Sequence, residues 1–239
     1  MDIPWTEDPR RLARRFRDFE GYFFGNRNLW VSKEGSIRSF LSLEPSPLSW
    51  RCDLYLHIGG NRSILLPCHY YCLGHHIPVA AHVDRSRIIS LRENKVGPSM
   101  RRLNIPAIKL SKLKLKMVTP TEPLHDPYLV ALLIALGQLQ WRALGRQRTQ
   151  QAAGVTPKLL FSSEDGDHIY IYSANISSSL INMFDYPAMK PSAPDPLAVQ
   201  IASVPYKPIE TLRGRLLALL LSATSPEDVD KSEKLIVYT

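Results

Sequence analysis

The chain has 239 residues, a formal net charge of +8, 44% hydrophobic residues and 22% charged residues. This excludes a disordered chain, a collagen and a coiled-coil rod, and three cysteines are too few for a disulfide scaffold. The basic balance suits acidic partners without demanding them.

In chain order, Asp8-Pro9 predicts a helix start, because Asp caps free N–H groups and Pro suits the first turn. Leu12, Phe16, Phe19 and Phe23 follow at helical spacing, with arginines on the opposite face. Bands at 29–31, 37–43, 52–58 and 63–66 read as strands of an antiparallel meander, and Gly59-Gly60-Asn61 marks a tight turn. Segment 85–116 is basic and ends in Lys112-Leu113-Lys114-Leu115-Lys116, whose alternation predicts a strand with lysines along one face.

Asp126-Pro127 is the clearest helix start, and 128–136 is apolar on every side, which predicts a central buried helix from Pro127. Bands at 158–162 and 168–173 flank Glu164-Asp165-Gly166-Asp167 and predict a hairpin. A short helix at 177–184 and a strand at 197–204 follow. Next come an amphipathic helix through Ile209, Leu212, Leu216 and Leu220 and a last strand at 235–238. The expectation is an α+β fold with antiparallel strands packed on two or three helices. One domain, 1–239, would be made of two packed halves, about 1–120 and 124–239, with a proline-rich loop at about 186–196.

The run His125-Asp126-Pro127-Tyr128-Leu129-Val130-Ala131-Leu132-Leu133-Ile134-Ala135-Leu136 resembles a motif in an uncharacterised family of filamentous-fungal proteins. Val204-Pro205-Tyr206-Lys207-Pro208, with Arg213 and Leu216-Leu217, extends the resemblance over the C-terminal half. It implies a fungal source and carries no activity.

Two clusters invite a functional reading. Cys52, Cys68, Cys72 and His75 supply the atom types of a Cys₃His zinc site, although they form neither a C-x₂-C nor an H-x₃₋₅-H pair. The competing reading makes the cysteines small apolar residues packed in strands. Cys68 or Cys72 beside a histidine also offers the types for a thiol nucleophile. The second cluster is Arg101, Arg102, Lys112, Lys114 and Lys116, a row of cations that could follow a phosphate backbone. Its competing reading is an edge strand whose lysines discourage aggregation. Segment 85–116 has no aromatic residue for base stacking.

Catalytic signatures are missing. The chain has no phosphate-cradling glycine loop, and no Asp followed by Glu-x-Lys on neighbouring strands. The longest apolar run, 128–136, is far short of the ~20 residues of a membrane span. The first twenty residues hold five arginines and no apolar stretch of signal-peptide length. The expectation is a non-catalytic binding or regulatory protein of the cytosol or nucleus, with a protein partner and no resident cofactor. The alternatives are a nucleic-acid-associated protein using 85–116, and a zinc-stabilised module or enzyme using the cysteine cluster.

Overall fold

The computed structural model describes residues 30–42, 46–74, 77–97, 104–149, 154–164, 166–188, 196–222 and 234–238, together with 14, 18, 19 and 21. The helices are α1 Trp30–Ser42, α2 Arg85–Val96, α3 Ile105–Val118, α4 Pro127–Thr149, α5 Ser178–Asp185 and α6 Ile209–Leu221. The strands are β1 Leu48–Ile58, β2 Arg62–Leu73, β3 Ile77–Asp84, β4 Gly154–Val155, β5 Lys158–Ser162, β6 His168–Ala174, β7 Ile176–Ser177, β8 Leu197–Pro205 and β9 Lys234–Tyr238. Seven strands form one mixed sheet in the order β1-β2-β3-β5-β6-β8-β9, and β4 pairs with β7 beside it. The α+β architecture expected from the sequence is present. The sheet is antiparallel except for β3 and β5, which run parallel. A parallel pair needs a long crossover, and α2, α3 and α4 lie in that connection.

Side chains alternate across the pleat, so the sheet has two buried faces. On one face Leu54, Leu66, Cys68, Ala81, Val83, Leu159, Phe161 and Tyr172 meet Leu129, Leu132, Leu133 and Leu136 of α4. On the other, Tyr71, Ala80, Leu160, Ile169 and Ile171 meet Ile37, Phe40 and Leu41 of α1 and Leu212, Leu216 and Leu220 of α6. Phe19 joins this second core, its ring 4.7 Å from that of Phe40. The rest of the expected N-terminal helix, Leu12 and Phe16 included, lies outside the described residues.

Helix α4 begins where the capping signal placed it. Oδ1 of Asp126 accepts from the N–H of Tyr128 at 2.9 Å, and Arg92 of α2 holds the same carboxylate with both guanidinium nitrogens, at 2.5 and 2.7 Å. The turn after β1 uses Gly59 at φ 65°, a left-handed conformation that costs glycine nothing.

Two local readings need correction. Residues 30–31 and 37–42 of the expected bands fall within helix α1, whose buried residues Lys33, Glu34, Ile37, Phe40 and Leu41 follow a helical, not a two-residue, period, while 29 and 43 lie outside the described residues. Segment 112–116 is helix as well. Asn104 caps α3 by accepting from the N–H of Ala107 at 2.8 Å, and Pro106 sits in the first turn. Residues 109–117 contain no β-branched side chain and are mostly Lys and Leu, good helix formers, so the local preferences override the alternation. Strand β3 and helix α2 occupy 77–96, for which no element was expected.

Leu133→Ala should lower stability in urea unfolding by about 2–5 kcal/mol, because it opens a cavity at a side chain with no exposure. Met117→Ala, at a residue 85% exposed, should stay within about 0.5 kcal/mol. Equal effects at the two positions would contradict this placement of the core.

Candidate functional site

The α1 face of the sheet carries an unusual set of polar side chains for a core. Alternation along β3 turns Ala81 and Val83 toward α4, and therefore His82 and Asp84 toward α1. His69 lies directly across from His82 in the β2–β3 register, and Ser162 lies opposite Asp84 on β5. Glu34 of α1 drops into this group with no solvent exposure. Its Oε2 accepts from Arg87 of α2, and its Oε1 accepts from the backbone N–H of Asp84 at 3.1 Å. Nδ1 of His69 stands 3.4 Å from Oε2. Lys33 Nζ lies 3.6 Å from Asp84 Oδ2, while Asp84 Oδ1 caps α2 through Ser86 N–H at 2.9 Å.

Burial works against the charged form of Glu34. The His69 ring, the Arg87 guanidinium and the Asp84 N–H outweigh it and hold the carboxyl below its ordinary range. Burial likewise depresses His82, helped by the cations of its surroundings and opposed by Glu34, from 6.5 to about 4. His82 is therefore neutral near pH 7, and its Nε2 shares a 2.8 Å hydrogen bond with Ser162 Oγ. Asp84 moves the other way, raised mainly by burial.

His82 and Ser162 have the atom types of a base and a nucleophile. Both side chains are wholly buried, and Nδ1 of His82 has no hydrogen-bond partner to orient the ring. A base held at about pH 4 is also poorly matched to proton abstraction at neutrality. What the cluster does well is mechanical. One carboxylate joins α1 to the start of α2 and to the end of β3.

The cysteines are dispersed. Cys52 pairs across from His69, and Cys68, next to His69 along β2, points to the opposite face, where it packs under α4. Burial pushes the Cys68 and Cys72 thiols up, away from the reactive thiolate. His75 lies outside the described residues. Among the described residues no group of three or more His, Cys, Asp or Glu is arranged to hold a metal ion. A groove of about 410 Å³ opens between Pro78, Val79, Gln140, Leu144 and Val155, and none of its lining residues is titratable.

The basic segment divides into two parts. Its arginines are used internally: Arg87 on Glu34, Arg92 on Asp126, and Arg85 at 3.7 Å from Glu164. Arg101 and Arg102 lie outside the described residues. Its lysines remain outside, on α3, which has no buried residue at all. At about 100° per residue, α3 presents three stripes roughly a third of a turn apart. Ala107, Ser111 and Leu115, the half-buried positions, face α2, where Ser111 Oγ donates to Val96 O at 2.7 Å. Lys109, Lys112 and Lys116 form the second stripe. Leu110, Leu113 and Met117, 53%, 61% and 85% exposed, form the third. No ion pair among the described residues engages these lysines. The sequence showed the lysines but, read as a strand, hid the apolar stripe beside them.

Compared with protein-family models, curated proteins and solved structures, the chain matches none. Among the described residues no helix is long and apolar enough to cross a membrane.

The buried cluster makes a pH-dependent prediction. Below 6.5 the unfolded chain protonates His82 while the folded chain does not until about pH 4, so stability falls through that window. The difference amounts to about 3 kcal/mol. Glu34 adds to the loss at lower pH, since its depressed pKa gives stability that is present above 4.5 and lost as pH falls through the folded value. Urea unfolding between pH 7 and 4 should show the decline, and His82→Gln should flatten it. An unchanged slope in the variant would assign the acid sensitivity elsewhere.

Proposed function

We propose that this chain is a non-catalytic binding protein of the cytosol or nucleus, and that helix α3 is its working surface. The observation that carries the reading is the unburied state of α3, whose lysines and apolar side chains both face outward beside arginines of α2 that are engaged by carboxylates. A helix with this much exposed apolar side chain is stabilised by what it meets outside. Its four lysines, with no acid between Glu93 and Glu122, favour a partner of negative charge. The three free cysteines accord with a reducing compartment. The buried cluster, in this reading, holds α2 rigid so that α3 is presented at a fixed angle.

Elution from a heparin column tests the charge half of the reading. The wild-type chain should be retained at low salt and released as salt rises. Lys109→Gln, Lys112→Gln and Lys116→Gln together should elute at distinctly lower salt with an unchanged melting temperature. Elution of both proteins at the same salt would remove α3 as the charged surface.

A further inference from the structure

We infer that the partner of α3 is an anionic lipid surface, on which the helix lies flat with Leu110, Leu113 and Met117 in the headgroup–acyl boundary. This deepens the binding reading above and rests on it. The arrangement of charge around the apolar stripe is the reason. Lys109, Lys112 and Lys116 run along one border of the stripe, and Lys114 stands on the other. Lysine carries its ammonium on a long apolar stem, so lysines on both borders reach lipid phosphates while the stripe between them sinks. That is the layout of an interfacial helix, an apolar strip with cations at its margins. The strip is narrow and the helix about 21 Å long, which suits shallow, reversible seating and not a span.

The attachment of α3 to the body leaves this side free. Its half-buried stripe, Ala107, Ser111 and Leu115, takes up the contact with α2. The helix therefore reaches the surface already formed, and seating it costs little ordering entropy. The absence of any acid over 94–121 removes repulsion from an anionic leaflet, the charge that the cytoplasmic side of a membrane carries.

Two other partners fit less of the arrangement. A nucleic acid would satisfy the lysines but set Leu110, Leu113 and Met117 against a polar backbone, and α3 has no aromatic ring on which a base could stack. An acidic amphipathic helix could cover the stripe, but it would pair with the lysines of one border only, leaving those across the stripe without a role.

Flotation of the full chain with vesicles decides the matter. Vesicles of phosphatidylcholine alone and vesicles containing about a third phosphatidylserine are compared. Binding is expected to the anionic vesicles and not to the neutral ones. Lys112→Gln with Lys116→Gln should weaken it by roughly twenty-five-fold, at about fivefold per lysine. Leu113→Gln with Met117→Gln, at side chains already facing solvent, should weaken it at least tenfold while heparin retention and the melting temperature stay unchanged. Absence of vesicle binding alongside heparin retention would overturn the lipid assignment and leave the binding reading standing. So would a mobility shift of duplex DNA or vesicle binding that the Leu113/Met117 change does not touch. Failure to bind vesicles and heparin alike would overturn both.

Discussion

Glu34 is a carboxylate removed from water and held in the charged state by Arg87 and the Asp84 amide. Such a group is stable only while its partners stay in place, because an ionised carboxylate left alone in a core costs several kcal/mol. It therefore works as a geometric constraint. Helix α1 has one rotation that brings Glu34 to Arg87, and that rotation also delivers Ile37, Phe40 and Leu41 to the sheet. The end of β3 and the first turn of α2 are fixed by the same contact. Through α2, joined to α4 by Arg92 and Asp126, the constraint reaches the start of the central helix and the exposed α3 that packs on α2.

Where the chain announces itself by local chemistry, its sequence is legible. Asp126-Pro127 and the apolar run behind it read as a capped, buried helix, because the signal and the packing agree. Gly59-Gly60 and Gly166 read as turns for the same reason, two of them adopting positive φ. Strands β5 and β6 were legible as the bands flanking that second turn, β8 as an apolar band and α6 from its helical spacing. The reading of α1 failed because its buried face includes Lys33 and Glu34, two residues that a hydrophobic pattern scores as solvent-facing. The charge cluster that organises this face was thus invisible for the reason that makes it structural: its members come from α1, β2, β3 and α2 and meet only in three dimensions.

The lysines of α3 illustrate a different failure. Lys-Leu alternation fits a strand on one count and fits a helix equally well once Asn104 and Pro106 are weighed. The change of period redistributes the side chains. In a strand, Lys112, Lys114 and Lys116 share one face and Leu113 and Leu115 the other. In the helix, Lys112 and Lys116 stay together, Lys114 moves away, Leu115 turns inward and Leu113 joins Met117 outside. A cationic row became a bordered apolar strip, and the class of partner it suits changed with it.

A double-mutant cycle on Glu34→Gln and Arg87→Met, followed by urea unfolding at neutral pH, measures the constraint itself. A coupling of about 2–3 kcal/mol is expected, with each single variant strongly destabilised and the double variant recovering part of the loss. A coupling below about 1 kcal/mol, the size seen for exposed ion pairs, would contradict the claim that this carboxylate sets the position of α1 and α2.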